Sequence, residues 1–126
     1  MVISGMNNFT DIVGSAMQAA VLRDSVISHN IANVDTPHFE RGSVVFETYL
    51  GHAVDNFRQT NRLDLNNVRP RIVRDYADMR YRFDGNNIDI EAEMASLYQN
   101  SVRFDVMASG VMNHYRIINM IIGAQI

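Results

Sequence analysis

Cysteine is absent from the 126-residue chain, which excludes disulfide staples, thiolate metal sites and cysteine nucleophiles. Lysine is absent too. All 11 basic residues are arginine, a usage that a GC-rich genome explains more simply than selection for planar interface contacts. Long hydrophobic runs are also missing. Ile12 to Leu22 is interrupted by Gly14, Ser15 and Gln18, and it and Ile117 to Ile126 are both too short to span a bilayer. Met1 to Thr10 holds no basic residue, so the n-region of a secretory signal is lacking. The expectation is a soluble chain whose export, if any, uses no cleavable signal. A net charge of −3 gives no global pull toward nucleic acid or anionic membrane.

What is present suits one modest domain: 47% hydrophobic and 20% charged residues exclude disorder throughout. From Phe9 to Asn33, Ile12, Ala16, Ala19, Leu22 and Val26 recur at helical steps, with Thr10 as expected N-cap and Asn33 as expected left-handed cap before the Asp35-Thr36-Pro37 turn. The stronger pattern is C-terminal. Ile90, Met94, Leu97, Ser101, Phe104, Ala108, Val111, Tyr115, Ile118 and Ile122 alternate steps of four and three, a seam sustained for more than four heptads. Asp89 is the expected N-cap, and Glu91 and Glu93 are assigned to capping and to the helix dipole. Gly110 inside this helix costs about 1 kcal/mol relative to alanine.

The fold expected is mainly α: long N- and C-terminal helices packed as an antiparallel coiled-coil hairpin around a small irregular or β middle. The divisions are 1–39, helix and turn; 40–88, irregular middle; and 89–126, C-terminal helix. Within the middle, a short strand or, from Phe46 on, a short helix is expected over Val44 to Phe57. A loop is expected over Gln59 to Pro70, and a β-hairpin over Ile72 to Phe83, fed into the last helix by Asp84-Gly85-Asn86-Asn87.

A second face is also apolar: Val13, Met17, Ala20 and Ile27 on the first helix, Val102, Val106, Met120 and Ile121 on the second. A two-helix hairpin covers one stripe per helix. Each further Val, Leu or Ile removed from water is worth roughly 1.5–3 kcal/mol, so uncovered stripes drive association with other copies or relatives, unless the middle segment fills them. A head-to-tail contact that does not close gives a helical assembly.

Ser28-His29-Asn30-Ile31-Ala32-Asn33-Val34-Asp35-Thr36-Pro37-His38-Phe39 resembles the N-terminal signature of bacterial flagellar axial proteins, approximately S-x-N-I-A-N-x-x-T-P-G-Y. Gly85 to Met94 resembles the G-N-x-V-D-[IL]-E-x-E-M entry to their C-terminal helix. Short length and this second block are most similar to the proximal-rod FlgB family. His38 stands where that family has glycine, so a turn needing positive φ would be strained there, whereas a type I turn would not. The family's threonine-His-Pro stretch is missing from the middle, and the arginine-rich stretch from Arg58 to Arg82 lies outside the signature.

The resemblance implies a structural subunit of the basal-body rod that transmits torque in the periplasm. It implies type III export and, as partners, FlgC-like and FliE-like rod proteins, copies of itself, the export gate and the inner-membrane ring, with no cofactor. The candidate assembly residues are Ile12, Ala19, Leu22, Val26, Asn30, Asn33, Thr36, Pro37, Phe39, Met94, Leu97, Phe104, Val111, Tyr115, Ile118 and Ile122.

Other chemistries find little support. His29, His38, His52 and His114 have no metal-ligand spacing, Ser28 has no nucleophile elbow, and no glycine set forms a phosphate loop. This points away from an enzyme or a small-molecule substrate. Arg58, Arg62, Arg69, Arg71, Arg74, Arg80 and Arg82, interleaved with Tyr76, Tyr81 and Phe83, suggest a nucleic-acid surface. Asp55, Asp64, Asp75, Asp78 and Asp84 neutralise most of it, so nucleic acid is not an expected partner. The alternative function is a small helical adaptor that binds one partner stoichiometrically without polymerising.

Overall fold

A computed structural model describes residues 2–74 and 88–124. Five elements follow in order: α1 (Val2–Ala32), β1 (Gly42–Val45), α2 (Glu47–Thr60), β2 (Arg71–Arg74) and α3 (Ile90–Gly123). The fold is mainly α, as the periodicities require. The helix α1 begins well before Phe9, so Thr10 lies inside it rather than capping it. No proline precedes Pro37, and two glycines, Gly5 and Gly14, costing about 1 kcal/mol each, do not stop a helix with a packed partner.

The helices α1 and α3 run antiparallel. Phe9 meets His114 with ring centroids 4.6 Å apart, Asn100 Nδ2 donates to the Ala20 carbonyl at 2.8 Å, and Asn30 Nδ2 donates to Glu93 Oε2 at 3.0 Å. At 1.5 Å per residue the 34 residues of α3 extend about 50 Å. Asp89 caps it as expected, with Oδ1 accepting from the amides of Glu91 and Ala92.

The middle segment closes over the other side of α1. The strands β1 and β2 pair antiparallel, Gly42 opposite Arg74 and Val45 opposite Arg71. Ile72 to Arg74 therefore pairs with β1 rather than with a neighbouring turn. The remainder of the expected hairpin, with Tyr76, Arg80, Tyr81, Arg82 and Phe83, and the Asp84-to-Asn87 turn lie outside the described residues. The helix α2 ends on Asn61 in the left-handed region (φ 53°), its amide donating to the Phe57 carbonyl at 2.8 Å. The core joins Ala19 of α1 to Phe46, Ala53 and Val68, with Ala16, Leu50 and Leu65 packed on it. Arg23 ties α1 to the first turn of α2 through both Glu47 oxygens, at 2.8 and 2.9 Å.

Both stripes of α1 are thus used within one chain. Ala19 and Val26 are buried, Ala19 in the core with Phe46 and Val26 against β1, and Ala20 and Ile27 are buried as well. The middle segment covers the Ala16, Ala19 and Val26 stripe of α1, whereas Ala20 of the second stripe meets α3 through Asn100. The helix α3 differs: Tyr98 (74% exposed), Val102, Val106 (66%), Met112, Ile117, Met120 and Ile121 face outward.

Candidate assembly surface and the latch that orients it

The side of α3 turned to α1 is not the apolar series read from the sequence. It is Glu93, Leu97, Asn100, Phe104, Met107, Val111, His114 and Ile118, which also step by four and three. Leu97, Phe104, Val111 and Ile118 belong to both series and are half-buried, whereas Ile90, Met94, Ser101, Tyr115 and Ile122 are exposed. Glu93, Asn100 and His114, at multiples of seven residues, are the signal the sequence holds for this face, and a search for apolar periodicity passes over it.

Glu93 corrects its expected role most sharply. It is 1% exposed, not an exposed dipole partner. Its carboxylate is ion-paired to Arg41 Nε and accepts from Asn30 Nδ2. Asn30, also 1% exposed, further donates from Nδ2 to the Gly42 carbonyl at 2.8 Å and accepts at Oδ1 from the Gly42 amide at 2.9 Å. A primary amide offers a donor and an acceptor side by side, as a peptide group does, so Asn30 pairs with Gly42 like a one-residue strand. Gly42 is close to this bond by necessity: a Cβ there would stand 3.1 Å from Val26 Cγ1 and 3.7 Å from Asn30 Oδ1. The last turn of α1, the start of β1 and the first turn of α3 therefore meet at one latch. A buried carboxylate needs both its ion pair and its hydrogen bonds filled to be tolerated, and here it has both.

The turn after α1 is organised by Asn33, though not as a left-handed cap. Positive φ among the described non-glycine residues occurs at His38 (58°) and Asn61. Asn33 Nδ2 instead donates to the His29 carbonyl at 2.8 Å, which also accepts the Asn33 amide at 3.2 Å, and its Oδ1 accepts from Thr36 Oγ1 at 3.2 Å. His38 takes the left-handed conformation, and the type I alternative is not used. Phe39 is half-buried with its ring edge-on to His29, centroids 5.4 Å apart, while Thr36 and Pro37 are exposed.

The sixteen candidate residues accordingly divide. Ala19, Val26 and Asn30 are buried inside the chain, and Ile12, Leu22, Asn33, Phe39, Leu97, Phe104, Val111 and Ile118 are half-buried. Thr36, Pro37, Met94, Tyr115 and Ile122 are open. Among the described residues, the buried atoms Asn100 Oδ1 and His114 Nε2 find no hydrogen-bond partner. Leaving such a group unpaired costs about 1–3 kcal/mol.

The arginines of the middle are engaged locally: Arg71 lies 5.1 Å over the Tyr49 ring, Arg74 donates to the Glu40 carbonyl at 3.2 Å, and Arg58 lies 3.6 Å from Asp55. Among the described residues no group of three His, Asp or Glu could hold a metal, and no helix is long and apolar enough to cross a membrane.

Residues 11–39, which carry most of α1 and the turn through Phe39, match the family model described as "Flagella basal body rod protein". The flagellar basal body rod protein FlgB of Borrelia hermsii is 34% identical, over 89% of this chain and 93% of that protein. The FlgB of Borreliella burgdorferi is 31% identical over 93% of this chain and 99% of its own length. That of Bacillus subtilis is 27% identical over 74% and 76%. The matched stretch contains Asn30, one end of the latch, whose other end, Glu93, opens α3. By identity extending over nearly its whole length, the chain belongs to the flagellar basal body rod protein FlgB family.

Proposed function

We propose that this chain is a structural subunit of the flagellar basal-body rod, joining its neighbours through the outward face of α3 and the exposed turn at Thr36-Pro37, and that it catalyses no reaction. One observation carries the reading: Tyr98, Val102, Val106, Met112, Ile117, Met120 and Ile121 leave a large apolar surface on a helix about 50 Å long. Covering each of these side chains is worth roughly 1.5–3 kcal/mol, enough in sum to hold subunits side by side. Met94, Tyr115 and Ile122, open on the flank of the α1–α3 pair, extend that surface. The half-buried Ile12, Leu22, Leu97, Phe104, Val111 and Ile118 support it from beneath by fixing the hairpin, as Ala19, Val26, Asn30, Asn33 and Phe39 fix its turn end.

In this reading the subunit sits in the periplasmic part of the rod and transmits torque. Its neighbours are FlgC-like and FliE-like proteins, copies of itself, and the export gate and inner-membrane ring at the base. The test is complementation of a strain lacking its own copy. Wild-type chain should restore swimming and appear in purified basal bodies, and Val102→Asp with Val106→Asp should do neither while accumulating in the cell. Basal bodies devoid of the wild-type chain, or full motility of the double variant, would overturn the proposal. A small complex of fixed stoichiometry in place of a rod would instead identify an adaptor.

A further inference from the structure

On one flank of the α1–α3 pair, Ala20, Val21, Asp24, Asn100, Ser101 and Phe104 line a recess of about 210 Å³. Its composition is unusual for an apolar groove. Asn100 is 4% exposed and its Oδ1 has no donor among the described residues. The amide cannot be turned over to hide the fault, because Nδ2 is held by the Ala20 carbonyl at 2.8 Å and a flip would set two acceptors face to face. Asp24 is exposed at the same recess and forms no ion pair among the described residues. The recess thus offers one exposed carboxylate, walls from Phe104 and Val21, and, in its lining residue Asn100, an enclosed amide oxygen still short of a donor among the described residues. A guanidinium matches all three: a planar fork of donors, a positive charge, and a stem and face that lie against an aromatic ring.

The molecule carries such a group in the complementary place. Arg103 is exposed on α3 and has no ion pair among the described residues. It stands two residues from Ser101, hence about 200° around the helix and only about 3 Å along it. Measured from Asn100 and Phe104, which also line the recess, the angle is about 60° and 100°, so recess and arginine lie on different flanks of one helix and a contact between them is heterologous, able to repeat head-to-tail. We infer that the recess between Asp24 and Asn100 receives the Arg103 side chain of a second copy of this chain in the assembled rod. This rests on the rod reading and names one of its subunit contacts.

Because the chain has no cysteine, the contact can be read by cross-linking. Asp24→Cys and Arg103→Cys chains, tagged differently and co-expressed in a strain lacking its own copy, can be joined only between molecules. Mild oxidation of purified basal bodies should give a doubly tagged dimer, and neither chain alone should give one. A second measurement uses charge: Asp24→Arg and Arg103→Asp should each impair swimming, and the double variant should swim better than either. Cross-link and rescue together are the expected result. Basal bodies that contain both cysteine chains yet yield no mixed dimer would overturn this contact and leave the rod function standing. An Arg103→Asp chain that swims normally beside an impaired Asp24→Arg chain would overturn it too, assigning the recess to another protein's arginine. If even the wild-type chain is missing from basal bodies, the rod function falls with it.

Discussion

Asn30 and Glu93, 63 residues apart in sequence, hold each other across the turn end of the helical hairpin at 3.0 Å, with both side chains almost wholly enclosed. Removing one member strands the other. Glu93→Ala takes the Glu93 carboxylate from Arg41 and one acceptor from Asn30, and should cost about 3–5 kcal/mol, the range for breaking a buried pair. Urea denaturation of the purified chain measures it. A double-mutant cycle with Asn30→Ala should give non-additive losses, since the two share one network. Additive losses would show that they act separately.

Gly42 tests the closeness of β1 to α1. Gly42→Ala brings a Cβ to 3.1 Å from Val26 Cγ1, which a small shift can absorb. The expected loss is about 1–2 kcal/mol, and Gly42→Val, with two further carbons, should lose more. Equal stability of both variants in thermal melts would mean that β1 yields freely.

His38 occupies a left-handed conformation (φ 58°) that a side chain bears at a cost of roughly 1–2 kcal/mol. His38→Gly should therefore stabilise the chain by up to about 1 kcal/mol, less the entropy that glycine adds to the unfolded state. His38→Val should destabilise it, because a β-branched residue is a poor occupant of that region. The melting temperatures should rank Gly, His, Val, and any other order refutes the assignment of strain.

Packing among the described residues does not explain Gly110, since a Cβ there would meet none of their atoms within 4 Å beyond its own helix backbone. Gly110→Ala should raise the stability of the isolated chain by about 1 kcal/mol through helix propensity alone. A chain stabilised by this change but failing to enter basal bodies would place a neighbour's backbone against Gly110.

Positions on α3 that look alike in sequence should behave differently. Val111 faces α1 and is half-buried, so Val111→Asp should unfold or strongly destabilise the chain. Val102 and Val106 face outward, so their aspartate variants should change unfolding free energy by no more than about 0.5 kcal/mol while preventing assembly. Circular dichroism of the purified variants separates the two outcomes.

The long C-terminal helix, its Asp89 cap and the antiparallel pairing were legible because they rest on local chemistry and period. The face that α3 turns inward was not. The reading placed the apolar series Ile90-Met94-Leu97-Ser101 inside, whereas the contact runs one residue earlier, through Glu93 and Asn100. Hydrophobicity identifies a buried face only when the buried residues are apolar; here Glu93 and Asn100 are buried because specific partners meet them, and those partners, Arg41 and the Ala20 carbonyl, are remote in sequence. The same remoteness hid the pairing of β2 with β1, which involves strands separated by all of α2. For the turn, the sequence residues pointed to Asn33 as the capping residue but not to its means: a side-chain amide on the His29 carbonyl replaces the left-handed backbone.

Glu93, Asn100 and His114, placed at multiples of seven residues, limit how the two long rods of the hairpin slide. A slip of α3 by one period toward its own start would bring Asn100 before Arg41 and Met107 before the Ala20 carbonyl, exchanging a charge for an amide at one end and a donor for a thioether in the middle. A smooth leucine zipper tolerates such a shift; this one is notched, and the notches admit a single setting.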